Sequence, residues 1–346
     1  MILDVKENNY KINIGYNIDS ELKEYLGHNN ISKIALICDE YVYFIYRNRI
    51  HEILKDFKYY TFTFAQGEKS KSVETYTEAL KFLSDNDFSR GDVILAFGGG
   101  ITGDLGGFVA GTYLRGINFI AVPTTLLSMI DSSVGGKNGI NFNGLKNQVG
   151  TFYFPEHVHI DYSFLKTLDE RNINNGMAEM FKYSVLSDKE LFIDLSGSKE
   201  IDYEKVIKRS LEIKLDFVRD DERDKGKRQC LNLGHTIGHG IEGLSNYSIN
   251  HGEAVGIGLI YMARAAYKMG LAKEPFYKEI IREFKKHNLP TNYDFDTDEI
   301  LKIIKHDKKI KDNKINIIIP VEIGSVVTKI VSFEELKEII NLGKDE

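Results

Sequence analysis

The sequence has only two cysteines, Cys38 and Cys230, and they lie far apart. They form no CxxC pair, no thiolate metal set and no disulfide framework, so a chain kept in reducing surroundings is expected. A basic excess is also missing. Lys and Arg total 45 against 51 Asp and Glu, for a net charge of −6 and a pI near 5.9. That balance argues against a general nucleic-acid-binding surface, while leaving room for a local cationic pocket. No run approaches the roughly 20 apolar residues of a membrane span. The opening stretch, MILDVKENNYKINIG, carries charges where a secretory leader needs an apolar core. No repeat or low-complexity segment occurs. The expectation is a soluble, cytoplasmic protein with no nucleic-acid or membrane partner.

What is present suits two domains. The chain has 346 residues, 42% hydrophobic and 28% charged, enough for a buried core and a polar surface. In the first half, KIALICD (33–39), YYTFTFA (59–65), DVILAFGG (92–99) and NFIAVPTT (118–125) are nearly continuous apolar runs. Such runs suit strands buried on both faces of a parallel sheet. A helical pattern such as Ser72 to Phe82 separates them, so the first domain is expected to be layered α/β. Past Asp161 the apolar spacing becomes helical, as in NNGMAEMFKYSVL, YEKVIKRSLEIKLDFV, HGEAVGIGLIYMARAAYKMG and KEIIREFKKHN. The later strand candidates lie in KINIIIPVEIGSVV, with a turn at Gly324. The change of character places the domains at 1–155 and 156–346.

Three segments carry candidate chemistry. In ILAFGGGITGDLGGF, Gly98, Gly100 and Gly103 give GxGxxG between a strand and a helix. Glycines let a backbone approach a pyrophosphate, and the helix N-terminus offers free N–H groups. A plain tight turn is the alternative. The loop does not follow the first strand, as an ordinary dinucleotide fingerprint would. Asp39, ending an earlier strand, is a ribose-binding candidate or simply a loop carboxylate. DSSVGGKNGINFNGLKNQVG reads as a glycine-rich loop holding Asp131, Lys137, Lys146 and Asn147, able to wrap an anion, although judged alone its lysines read by default as solvated loop residues. Lys182, Lys214, Arg228 and Asn232 add polar and cationic groups on the later helices.

The third segment is LNLGHTIGHGIE. His235 and His239 share a helix face, four residues apart. Thr236 stands where a zincin needs its glutamate, so peptidase chemistry is not expected. His251 opens the next helix, and Glu179 lies on an earlier one. A carboxylate with two imidazoles and an open position makes a catalytic dication site. The spacing alone leaves open which histidines ligate, or whether they only pack.

Taken in order, GGGITGDLGGFVAGTYLRG, VPTTLLSMIDSSVGGKNGIN, GLKNQVGTF, GMAEMFKY, GKRQCLNLGHTIGHGIE, HGEAVGIG and HDKKI make the chain resemble the 3-dehydroquinate synthases, sugar phosphate cyclases of the shikimate pathway. The resemblance covers nearly the whole chain. It implies a Rossmann-like NAD-binding domain followed by a mostly α-helical metal- and substrate-binding domain. It also implies a homodimer and a Zn²⁺ or Co²⁺ ion.

Carried over, it makes Glu179, His235 and His251 the metal ligands, leaving His239 to face the substrate. It assigns NAD to Asp39, Glu68, Lys71, Gly99, Gly100, Ile101, Thr102, Gly103, Asp104, Thr124, Thr125, Asp131, Lys137, Lys146, Phe164 and Thr167. The substrate would meet Asp131, Lys137, Asn147, Lys182, Lys214, Arg228, Asn232, His239 and Lys308, with Arg115 reaching the phosphate from a second subunit. The implied reaction turns 3-deoxy-D-arabino-heptulosonate 7-phosphate into 3-dehydroquinate and phosphate. It proceeds by transient oxidation, elimination, reduction and aldol closure. Two positions depart from the family pattern. Tyr41 stands where Asp-x-Asn is usual after the strand, and Asp224 replaces a usual Glu.

Overall fold

The apolar runs of the first half assemble side by side in one sheet. The computed structural model describes residues 1–8, 10–29, 31–197, 200–246, 248–307 and 314–344. Two compact units divide at Leu168 and Asp169.

The first unit runs β1 (Ile2–Val5), β2 (Tyr10–Gly15), α1 (Asp19–His28), β3 (Ile34–Asp39), α2 (Glu40–Leu54), β4 (Tyr59–Phe64), α3 (Val73–Asp85), β5 (Val93–Gly98), α4 (Gly100–Thr112), β6 (Asn118–Pro123), β7 (Lys137–Phe142), β8 (Leu145–Phe152) and β9 (His157–Asp161). Seven strands pair in the order β1-β2-β9-β6-β5-β3-β4. Only β1 runs antiparallel to its neighbour. Every residue of β5 is buried, as a central strand covered on both faces requires.

The strand order matters for function. The chain goes from β3 outward to β4, then returns to lay β5 on the other side of β3. In open α/β sheets a ligand crevice forms outside the carboxyl ends of the two strands at such a reversal. Here those ends are Asp39 and the Gly98–Gly100 turn. This explains why the glycine turn follows β5 and not the first strand.

Three strands of this sheet were not foreseen. β1 and β2 mix charged and apolar residues, and β9 is a short run beyond the expected 155/156 boundary. Because β9 inserts between β2 and β6, it belongs to the first unit and moves the division to Leu168. The expected glycine-rich loop after Asp131 is instead largely the hairpin β7–β8. Asn143 (φ 52°) and Gly144 (φ 76°) make its two-residue turn, with Phe142 paired to Leu145. Asn-Gly is the sequence such turns favour.

The second unit comprises α5 (Glu170–Ser187), α6 (Lys189–Gly197), α7 (Tyr203–Arg219), α8 (His235–Leu244), α9 (His251–Lys268), α10 (Tyr277–Lys286), α11 (Thr297–Asp307), the hairpin β10 (Lys314–Glu322) and β11 (Ser325–Ser332), and α12 (Phe333–Gly343). Helix α9 is buried without a break from Gly252 to Ala266, which makes it the core element. Helices α5, α8, α10 and α12 pack around it. Among the described residues, no helix is long and apolar enough to cross a membrane.

Candidate active site

In the first unit, the crevice at the strand ends is built mainly from backbone. Gly99 caps α4 without a side chain, and the first turn of that helix, with Ile101, Thr102 and Gly103, holds no acidic residue. Its first N–H groups and positive dipole end therefore meet no acidic side chain within that turn. A Cβ on Gly98 would sit 2.4 Å from Thr102 Oγ1, so the folded-back threonine demands glycine there. Thr124 donates its N–H to the Gly98 carbonyl at 2.9 Å, which fixes Thr124 and Thr125 beside the turn. Asp39 caps α2, accepting from the Val42 N–H at 2.9 Å. Its carboxylate is thus anchored at the crevice, and the cap and ribose readings are compatible.

The rest of the first-unit set divides. Glu68 accepts from Asn141 Nδ2 at 2.8 Å, and the buried Lys71 ammonium pairs with Asp104 and Asn147. The hairpin carrying Lys137, Lys146 and Asn147 is thereby tied to the turn before α3. Asp131 lies in the turn 128–132 that precedes the hairpin. Phe164 is different. Its ring is 1% exposed and packs edge-on against Phe97 and Tyr46, with centroids at 5.2 and 5.0 Å. The side chain is a core group, so only its backbone is left for a cofactor. The Thr167 hydroxyl is engaged with Tyr46 and with the Phe164 carbonyl. Arg115 is exposed on a turn in which Leu114 (φ 51°) and Arg115 (φ 67°) are both left-handed, a strained arrangement for non-glycine residues.

In the second unit, three side chains from three helices converge. Glu179 on α5 is fully buried, and its Oε1 has no hydrogen-bond partner among the described residues. That oxygen lies 3.8 Å from His235 Nε2 on α8 and 3.6 Å from His251 Nε2 on α9. These separations exceed an N–H···O hydrogen bond. They approach the roughly 3.4 Å edge between ligand atoms of a tetrahedral site with 2.0–2.2 Å bonds. Oε2 of Glu179 is 2.6 Å from Lys182 Nζ, an ion pair whose angle falls outside that of a hydrogen bond. His235 Nδ1 faces the Leu233 carbonyl at 3.1 Å, and His251 Nδ1 faces Glu242 Oε2 at 3.1 Å. Each contact suits a proton on Nδ1 and a lone pair on Nε2. Burial, then the Lys182 ammonium, holds the His235 imidazole well below its ordinary pKa. His239 does not group with Glu179. It groups with Glu242 and His251 instead.

The surrounding helices fix this geometry. Asn175, one turn before Glu179, accepts from the Gly252 N–H at 2.5 Å. Arg171 holds Glu253 through two 2.7 Å contacts, and Glu253 closes the capping box at Asn250, next to His251. Helices α8 and α9 approach backbone to backbone. A Cβ on Gly258 would lie 2.1 Å from the Gly234 carbonyl, and Gly234 itself is left-handed (φ 79°). That close approach brings His235 within 5.1 Å of His251, ring centre to ring centre.

Lys182, Lys214 and Arg228 are all buried, at 1%, 6% and 3% exposure. Burying cations is costly unless anions meet them. Lys214 on α7 and Arg228 and Asn232 in the turn 227–232 sit on elements packed against α5. Lys308 lies outside the described residues. Sequence reasoning missed Glu242, Asn175, Arg171 and Glu253. For Glu242 a signal existed, since it follows His235 by two helical turns on the same face.

Comparison with known proteins bears on both units. A family model described as 3-dehydroquinate synthase N-terminal matches residues 61–175, and one described as 3-dehydroquinate synthase C-terminal matches residues 176–310. The 3-dehydroquinate synthase of Caldanaerobacter subterraneus subsp. tengcongensis is 39% identical over 352 aligned positions, 98% of this chain and 99% of that protein. A solved 2-epi-5-epi-valiolone synthase from Streptomyces hygroscopicus subsp. jinggangensis, with NAD⁺ and Zn²⁺ bound, superposes with a TM-score of 0.88 at 25% identity and 99% coverage of both chains. A 2-deoxy-scyllo-inosose synthase complexed with carbaglucose-6-phosphate, NAD⁺ and Co²⁺ gives 0.88 at 24% identity and 98% coverage of both, a similarity of fold.

Proposed function

Because the chain belongs to the 3-dehydroquinate synthase family, we propose that it converts 3-deoxy-D-arabino-heptulosonate 7-phosphate into 3-dehydroquinate and phosphate. The observation that carries this reading is the buried Glu179 oxygen, without a hydrogen-bond partner among the described residues, facing two imidazole nitrogens at 3.6 and 3.8 Å. Such spacing fits a dication between the three ligands, with His251 partly open to solvent. When bound, the dication supplies Lewis-acid polarisation of the substrate carbinol and NAD supplies a transient hydride acceptor.

The chain's own residues do the rest. The α4 N-terminus cradles the pyrophosphate and Asp39 takes a ribose hydroxyl. Glu68, Lys71 and Asp104, with Ile101 to Gly103, Thr124, Thr125, Lys146 and Thr167, shape the same cofactor site. Lys182, Lys214 and Arg228 hold the carboxylate and phosphate, assisted by Asp131, Lys137, Asn147, Asn232 and Lys308, so that positioning lowers the barrier. His239 handles a proton at the substrate. Arg115, exposed on its left-handed turn, serves the phosphate site of a second copy, making the working unit a cytoplasmic homodimer.

The test is turnover with the heptulosonate phosphate, a divalent ion and substoichiometric NAD⁺. Phosphate and dehydroquinate are expected in equal amounts without net NADH. Stoichiometric NADH would mark an alcohol dehydrogenase instead, and absent phosphate release would refute the cyclase reading.

A further inference from the structure

Glu242 is 4% exposed, and a buried carboxylate persists only with compensating partners. It lies on α8, the helix that also carries His235 and His239, while the ring it touches, His251, begins α9. Its Oε2 is 3.1 Å from His251 Nδ1, a hydrogen-bond distance, whereas Glu179 Oε1 stands 3.6 Å from Nε2 of the same ring, a spacing for an intervening ion. The two carboxylates therefore address opposite nitrogens in different ways. Among the described residues, His235 Nδ1 has a backbone carbonyl, that of Leu233, behind it.

We infer that Glu242 is a positioning residue for the dication: by accepting the Nδ1 proton of His251 it fixes the tautomer and ring orientation that present Nε2 to the ion. This rests on the metal reading above. Carboxylates in this role change metal affinity by about 10–100-fold when removed. The experiment measures Co²⁺ affinity by chelator competition, together with the thermal midpoint of the metal-free protein. Glu242→Ala should bind Co²⁺ about 10–100-fold more weakly, and Glu242→Gln, which keeps an acceptor but not the charge, should lose less. The metal-free midpoint separates this from a purely structural role, in which Glu242→Ala would lower the midpoint while Glu242→Gln kept full Co²⁺ affinity. Wild-type affinity in Glu242→Ala overturns the inference. If Glu242→Ala does not fold, Glu242→Gln decides: weaker binding supports the role and unchanged binding overturns it. Failure of the wild-type chain to bind Co²⁺ is a separate result and overturns the triad itself.

Discussion

His157 and His159 in the first unit, and His235 and His251 in the second, are all histidines drawn back from water, but their surroundings differ. The β9 pair is 1% exposed, and none of its four ring nitrogens has a hydrogen-bond partner among the described residues. His157 stacks on Tyr25 at 4.1 Å. Burial pushes His157 down to about 3 and His159 to about 4. These rings pack as apolar plates. The second group has an acceptor behind each Nδ1 and a shared carboxylate oxygen in front of each Nε2. A depressed histidine pKa is common to both places and so does not locate the site. Convergence of lone pairs on a carboxylate oxygen does.

Substitutions in the second group should have the largest effects. His235→Ala should abolish dication binding, read by metal analysis after dialysis, and activity with it. His239→Ala should retain the ion and lose about 10²–10⁴-fold in kcat. Equal metal loss in both would break the proposed division of labour. His157→Phe, by contrast, should leave metal content unchanged.

The first pair should show itself in acid. Its folded pKa values lie below the unfolded value of about 6.5. The unfolded chain therefore binds protons first as pH falls. The stability that neutral burial provides is complete above pH 6.5 and drains away toward pH 3–4, by about 1.4 kcal/mol per pH unit for each ring. Urea midpoints across that window check it, and His157→Phe should flatten the slope. An unchanged slope would show that other groups set the acid limit.

Two smaller effects sharpen the contrast between backbone and side-chain sites. Gly258→Ala should wedge α9 from α8, costing about 1–3 kcal/mol in urea unfolding and weakening metal binding in parallel. Asp39→Asn keeps a good helix cap, whereas Asp39→Ala should lose about 1 kcal/mol. Both should weaken NAD binding by calorimetry. Full affinity in Asp39→Asn would leave the carboxylate only its capping role.

Much of this was legible in the sequence. The continuous apolar runs announced β3 to β6, and the glycine spacing announced the α4 turn, because both patterns follow from local geometry. The helical spacing of His235 and His239 was equally local. β9 was not legible, since HVHID becomes a strand only by fitting between β2 and β6. The β7–β8 hairpin could have been read from Asn143-Gly144, but the flanking glycines and lysines masked it. For Phe164 one sequence could not show that the ring would be spent on the core, leaving only the backbone for the cofactor role. Glu242 escaped because its spacing from His235 marks a shared helix face but not that its partner is His251 on the next helix.

The most direct test of the metal centre is anomalous diffraction from a Zn²⁺-loaded crystal. A peak about 2.0–2.2 Å from Glu179 Oε1, His235 Nε2 and His251 Nε2 is predicted. A peak held instead by His239 and Glu242, or none within reach of Glu179, would contradict it.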